Sequence, residues 1–146
     1  MPAGPHSFVD VFIAEDDETE QMLLKEAFER AGVDAETTFV DDGMELVDLL
    51  NRRVVEGQLP DVIVLDLKMP RMDGMTFLEG IRDDFEIGSI PAVVLTNSKD
   101  PRDRKACVSL GVHEYLIKPS SFDELVELAR SLSRYGRTGA SSSALL

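Results

Sequence analysis

The sequence predicts one α/β domain in which five parallel strands form a doubly wound sheet covered by helices on both faces. Its 146 residues, 43% of them hydrophobic, suit a single globular domain. Apolar runs alternate five times with amphipathic helical stretches. The runs are continuous rather than alternating in polarity, which is typical of strands buried on both faces. Right-handed crossovers between such strands produce one parallel sheet.

The strands are predicted from apolar, largely β-branched runs: Val9 to Ala14, Thr37 to Val40, Val62 to Leu65, Ala92 to Leu95 and Glu114 to Ile117. A helix follows each strand, and caps or stop signals delimit most of them. The first helix spans Thr19 to Ala31 and stops at Gly32, and the second is capped by Asp42 with Glu45. The third spans Met75 to Phe85, the fourth runs from Pro101 to Gly111, and the fifth begins after Ser121. We expect a disordered segment over residues 1–7, the domain over 8–134, and a flexible tail over 135–146 with no output domain.

Ligands of a doubly wound sheet bind at the carboxyl ends of its strands, so the residues just after each strand are candidates for chemistry. The first strand is followed by Glu15, Asp16 and Asp17, and the third by Asp66. The fourth is followed by Thr96 and the fifth by Lys118. Asp42, after the second strand, is explained as a helix cap.

Carboxylates gathered at one edge repel each other, by about 4 kcal/mol for a pair near ~4 Å at an effective dielectric of 20. They therefore need a cation, and oxygen-only ligands favour Mg²⁺ over zinc. Mg²⁺ commonly binds a phosphate oxygen, for which Lys118 supplies a charge and Thr96 a hydroxyl. This pattern predicts that Asp66 is a nucleophile that becomes an aspartyl phosphate.

Four ordered motifs carry a resemblance to a known family. They are Phe12 to Asp17, Leu65 to Pro70 with Asp73-Gly74, Val94 to Ser98, and Tyr115 to Pro119. With these motifs, residues 8 to 134 resemble the CheY-like receiver domain of single-domain bacterial two-component response regulators. The resemblance implies a flavodoxin-like (βα)5 fold with strand order 2-1-3-4-5.

The resemblance also implies a role for each matching residue. Asp66 would accept phosphate from a sensor histidine kinase, with Mg²⁺ held by Asp16, by Glu15 through water, by Asp66 and by the Lys68 carbonyl. Lys118 would pair with the phosphate, while Thr96 and Tyr115 would move on activation. Taken alone, Tyr115 is a half-buried strand aromatic and Thr96 a hydroxyl that bonds its own loop. A cis Lys118-Pro119 bond is a further expectation.

The expected output is binding to a downstream protein through the fourth helix, fifth strand and fifth helix, about Arg102 to Arg134. A phosphorylation-sensitive homodimer is an alternative output. Three segments resemble partners of bacterial phytochromes, which suggests a phytochrome as the kinase: Leu95 to Ser98, the Arg52 to Pro60 extension before the third strand, and Ile90-Pro91. The net charge of −13 excludes nucleic acid and anionic membrane surfaces as direct partners. No signal or membrane segment is evident, so we expect a cytoplasmic protein.

Other functions stay open at this stage. A receiver-like interaction module that ignores phosphate is the strongest alternative, and the chain is expected not to be a turnover enzyme. An aspartate-based phosphatase needs a second Asp where Lys68 stands, and a flavin carrier would have its phosphate repelled by Glu15 and Asp16. Lys68 also adds a positive charge two residues after Asp66, which suggests an altered phosphoryl lifetime.

Overall fold

A computed structural model of the protein describes residues 8–136. Its five strands are β1 (Val9–Ala14), β2 (Ala35–Val40), β3 (Val62–Leu65), β4 (Ala92–Thr96) and β5 (Glu114–Ile117). Its five α-helices are α1 (Glu18–Ala31), α2 (Gly43–Glu56), α3 (Gly74–Ile81), α4 (Pro101–Ser109) and α5 (Phe122–Leu132). Short 3-10 turns lie at Ile87–Ser89 and Ser133–Tyr135. None of the helices in residues 8–136 is long and apolar enough to cross a membrane.

All strand pairs are parallel, and the sheet order is β2-β1-β3-β4-β5, which confirms the predicted fold class and strand order. Successive residues of β1 point to opposite faces, so Val11 and Ile13 enter one core while Phe12 and Ala14 enter the other. One core contains buried residues of α1 and α5, and the second contains those of α2, α3 and α4. The sheet is therefore covered on both faces, as the continuous apolar strands predict.

Helix boundaries follow the capping signals where these are strong. Asp17 accepts hydrogen bonds from the backbone N–H groups of Thr19 and Glu20, so it caps α1. Asp42 caps α2 in the same way, by accepting from the Glu45 N–H at 3.0 Å. These caps satisfy donors that the first turn of a helix leaves unpaired.

The third helix is shorter than the sequence predicts. It ends at Ile81 rather than at Phe85, and Phe85 is 95% exposed. The Asp84 carboxylate accepts from the N–H groups of Glu86 and Ile87, which starts a separate 3-10 turn and interrupts the helix. The prediction for β2 is also short, because pairing with β1 extends the strand back to Ala35.

The structure differs from two further predictions near the C-terminal end of the described residues. The described residues contain no cis peptide bond, so the expectation of a cis Lys118-Pro119 bond is wrong. The bond is trans, the isomer that X–Pro bonds favour by about 0.5–1 kcal/mol. Tyr135 falls in the predicted tail, but its ring packs edge-on against His113 at 5.5 Å and its hydroxyl bonds to Glu114. Residues 1–7 and 137–146 lie outside the described part of the chain.

Candidate functional site

The residues that follow β1, β3 and β5 lie together at the carboxyl edge of the sheet. Main-chain hydrogen bonds hold each of them one position beyond its strand. The N–H of Asp66 donates to the Ala14 carbonyl at 3.2 Å, that of Glu15 to Val40 at 3.0 Å, and that of Lys118 to Thr96 at 2.8 Å. The parallel register therefore places the predicted site residues at one edge, on backbone that the sheet itself fixes.

The Lys118 ammonium is the centre of this site. Its Nζ lies 2.7 Å from Asp66 Oδ2 and 2.8 Å from Glu15 Oε1, and it also bonds to Glu20. The side chain of Lys118 is 11% exposed, that of Asp66 11% and that of Glu15 4%. An ammonium has three N–H donors, so these three carboxylates use its full hydrogen-bonding capacity.

Burial and these partners shift the ionisation of the cluster. Burial of Lys118 opposes its charged form, but the hydrogen bonds to Asp66, Glu15 and Glu20 outweigh it and raise the lysine pKa well above its usual range. Burial raises the pKa of Glu15 despite the bonds from Lys118 and the Asp17 N–H. The lysine therefore stays positively charged at neutral pH and can neutralise negative charge that arrives beside Asp66.

The loop after β3 holds the Asp66 side chain from the other side. Oδ1 of Asp66 accepts from the backbone N–H of Lys68 at 3.3 Å, so each carboxylate oxygen has a donor. Gly74, at the start of α3, approaches the Asp66 main chain so closely that a Cβ there would lie 2.4 Å from the Asp66 carbonyl oxygen. The Gly74 N–H donates to Leu67 at 3.0 Å and closes the loop. A glycine is thus required at position 74 by contact, whatever its backbone angles.

A second set of contacts ties the same loop to α2. Arg71 has a left-handed φ of 62°, unusual for a residue other than glycine, and its guanidinium bonds to the buried Asp42 carboxylate at 2.6 and 2.7 Å. The Gly43 N–H donates to the Met72 carbonyl at 3.0 Å. Although burial opposes it, the Glu45 N–H and Arg71 hold the pKa of Asp42 below its usual value. Asp42 is therefore both a helix cap, as predicted, and a loop anchor, which its sequence does not reveal.

Thr96 and Tyr115, the predicted switch residues, meet through Ser98. The Thr96 hydroxyl accepts from the Ser98 N–H at 3.2 Å, and the Tyr115 hydroxyl donates to the Ser98 carbonyl at 3.0 Å. Thr96 is 1% exposed and Tyr115 8% exposed, and burial raises the tyrosine pKa. The Arg104 guanidinium lies 5.6 Å from the centre of the Tyr115 ring. The local Thr96 bond is the one its strand-end position predicts, and the switch role stays a prediction.

The predicted metal ligands are oxygen donors of the kind that Mg²⁺ binds, but they do not converge on one position in this structure. Within residues 8–136, no three His, Cys, Asp or Glu side chains are arranged to hold a metal ion. Glu15 and Asp66 converge on one cation, which is Lys118, whereas Asp16 and the Lys68 side chain are exposed. Mg²⁺ takes one or two carboxylates, carbonyl oxygens and several waters, so this donor set fits it.

Glu20 is the site residue that sequence reasoning missed. It lies three residues after the cap Asp17, where a glutamate ordinarily belongs to the helix start, so its spacing offers a structural explanation. Gln21 was also missed, and its amide donates to the Glu15 carbonyl and to Asp41 Oδ1 at 3.2 Å. Cys107 is fully buried, and burial raises its thiol pKa to about 11, which suits a packing residue rather than a nucleophile.

Comparison with known proteins identifies the family of this chain. A family model described as the response regulator receiver domain matches residues 11–130. Over 128 residues, the chain is 35% identical to the probable methanogenesis regulatory protein FilR2 of Methanothrix harundinacea, covering 86% of this chain and 81% of that protein. Several other curated relatives are longer, and the chain spans about half of their length.

Solved structures agree with the sequence comparison. The phosphorylated cyanobacterial phytochrome response regulator RcpA is similar with a TM-score of 0.80 at 29% identity, covering 91% of this chain and 96% of that one. The Mn²⁺-bound form of Rcp1, a response regulator of Synechocystis, gives 0.77 at 26% identity, covering 90% and 97%. With the matching sheet order and the Asp66–Lys118 pair, these similarities show that the chain belongs to the response regulator receiver domain family.

Proposed function

We propose that Asp66 accepts a phosphoryl group from a sensor histidine kinase and that the phosphorylated protein signals by binding another protein. The observation that carries this proposal is the buried pair of Asp66 and Lys118, 2.7 Å apart at the carboxyl edge of the sheet. The pair joins a nucleophilic carboxylate to a permanent positive charge. Support also comes from RcpA, a similar protein whose solved structure is phosphorylated.

The transfer is a substitution at phosphorus. A carboxylate oxygen of Asp66 forms the new bond to phosphorus, and the bond from phosphorus to the donor breaks. The donor, a phosphohistidine nitrogen or the acetate of acetyl phosphate, leaves with the electron pair. Lys118 neutralises charge on the phosphoryl oxygens, and the Lys68 N–H orients the Asp66 carboxylate before attack. The product is an acyl phosphate on Asp66 itself. Water can later attack it, which releases inorganic phosphate and regenerates the Asp66 carboxylate, and the role we propose for the chain in the interval is to carry the phosphoryl group rather than to turn over a substrate.

A divalent cation belongs to this proposal. Glu15, Asp16, Asp66 and the Lys68 carbonyl would hold Mg²⁺, which offsets charge on the phosphoryl oxygens during transfer. The chemistry of the donors supports this assignment, as does Mn²⁺ in the similar protein Rcp1. Because Asp16 is exposed at the rim, it can bind a hydrated cation at low desolvation cost.

Phosphorylation would be read through Ser98. If Thr96 rotates to donate its hydroxyl to a phosphoryl oxygen, its oxygen moves away from the Ser98 N–H, and Tyr115 would lose its fixed acceptor once the Ser98 carbonyl follows. Tyr115 lies in β5 beside Arg104 of α4, so this change would remodel the surface formed by α4, β5 and α5. The downstream protein, or a second copy of the chain, would bind there, and a phytochrome is the kinase favoured by the similarity to RcpA.

One assay tests the proposal directly. The wild type and Asp66→Asn are incubated with acetyl phosphate, with and without Mg²⁺, and followed by intact mass and by size. We expect a Mg²⁺-dependent gain of ~80 Da in the wild type and none in the variant. If the wild type gains no mass, the phosphotransfer mechanism is wrong and a phosphate-independent interaction module becomes the better description.

A further inference from the structure

Glu20 is the Lys118 partner that no family motif of this chain contains. It lies in the first turn of α1, and its carboxylate bonds to the ammonium beside those of Glu15 and Asp66. The Glu20 side chain is 34% exposed, against 4% for Glu15 and 11% for Asp66. The three carboxylates therefore share one donor group but differ strongly in access to water.

A phosphoryl oxygen can bind Lys118 only if one of these partners gives way, because the ammonium has three donors and all are used. Asp66 is covalently joined to the incoming group and stays in place. Glu15 is buried, and although its Oε2 keeps the bond from the Asp17 N–H, its Oε1 would lose its hydrogen-bond donor where water has little access. Glu20 can exchange the ammonium for water, which makes it the least costly partner to release.

The space around Glu20 permits this release. Glu20 and Lys118 border an open cavity of about 210 Å³. Leucines of α1, β4 and α5 line the rest of it together with Asn97 and Pro119. The carboxylate has room to leave the ammonium without displacing the backbone of α1.

On the basis of the proposed function, we propose that Glu20 is an exchangeable partner of Lys118 that occupies the phosphoryl position before transfer and opposes phosphorylation by competing for the ammonium. Its negative charge stabilises the unphosphorylated site and destabilises the phosphorylated one. Glu20 is thus a positioning residue, since it acts through Lys118 and sets the balance between the two states.

The test compares Glu20→Gln with Glu18→Gln. Both replacements remove one negative charge from the first turn of α1, but Glu18 is exposed and has no role in the site. Each protein is titrated with acetyl phosphate in Mg²⁺, and the phosphorylated fraction is measured by intact mass. We expect Glu20→Gln to reach half-phosphorylation at about three- to tenfold lower acetyl phosphate than the wild type, and Glu18→Gln to stay within twofold.

Two further measurements separate contact with Lys118 from a general effect. Glu20→Asp keeps the charge but is one methylene too short, so we expect it to resemble Glu20→Gln. Unphosphorylated Glu20→Gln should also unfold at a lower urea concentration than the wild type, although it is phosphorylated more readily. A simple loss of structure would instead lower both the urea midpoint and the phosphorylated fraction. The proposal would be overturned if Glu20→Gln reached half-phosphorylation at the same acetyl phosphate concentration as the wild type, or if Glu18→Gln shifted that concentration equally. It would also be overturned if Glu20→Asp titrated like the wild type. A wild type that gains no phosphate would instead refute the proposed function.

Discussion

Replacing Gly74 by alanine should damage the site through a single methyl group. The added Cβ would lie 2.4 Å from the Asp66 carbonyl oxygen and 3.0 Å from Leu67 Cα. Ordinary contacts begin near 3.4 Å, so the Asp66 main chain and the start of α3 have to separate by roughly 1 Å. Two of the three contacted atoms are backbone and cannot rotate away. We therefore expect Gly74→Ala to lose about 1–3 kcal/mol of unfolding free energy, measured by urea denaturation.

The same displacement should reach the chemistry. A shift of about 1 Å in a reacting group can cost up to 10²-fold in rate, so the rate of Asp66 phosphorylation by acetyl phosphate should fall by more than the loss of folded protein explains. Gly80 provides the control within the same helix, because a Cβ there meets nothing within 4 Å. Gly80→Ala should be stabilised by about 0.5–1 kcal/mol through the helix preference of alanine, with an unchanged phosphorylation rate. A Gly74→Ala protein as stable and as rapidly phosphorylated as Gly80→Ala would refute the contact argument.

Two other predictions concern strain and charge away from Asp66. Arg71→Gly and Arg71→Ala both lose the ion pair with Asp42, but only glycine adopts the φ of 62° without strain. The melting temperature of the glycine variant, measured by calorimetry, should therefore be about 2–4 °C higher than that of the alanine variant. The reverse order would exclude backbone strain at this position. Burial raises the pKa of Asp10, whose buried Oδ1 has no hydrogen-bond partner, against the opposing effect of Arg53 3.5 Å away. The stability linked to its proton is therefore full below pH 3.8 and lost as the pH rises through the higher folded pKa. Asp10→Asn should thus exceed the wild type in urea midpoint at pH 7 and lose that advantage toward pH 3.8, and a constant difference across this range would contradict the charge explanation.

Much of the site is predictable because its residues stand at strand ends. β1, β3 and β5 have the bounds that their apolar runs predict, and in a parallel sheet such ends share one edge. The sequence alone therefore indicates that Asp66, Glu15 and Lys118 meet. The third helix is the counterexample, since the apolar Phe85 continues the helical pattern although the chain has already turned at Asp84. A hydrophobic pattern reports which residues could face a core, but it does not report a competing local hydrogen bond.

The parallel sheet, the acidic edge and the position of Asp66 follow from the sequence, because they depend on local periodicity and on the geometry common to all parallel sheets. The strand order is implied only by the family resemblance, and the structure confirms it. Only the tertiary structure shows that Glu20 bonds to Lys118, that Arg71 anchors its loop to Asp42, and that Gly74 lies against the Asp66 carbonyl. Each of these contacts joins segments whose separation in the chain carries no periodic signal. They depend on distances of a few ångströms between packed elements, and those distances exist only after the helices and loops have settled on the sheet.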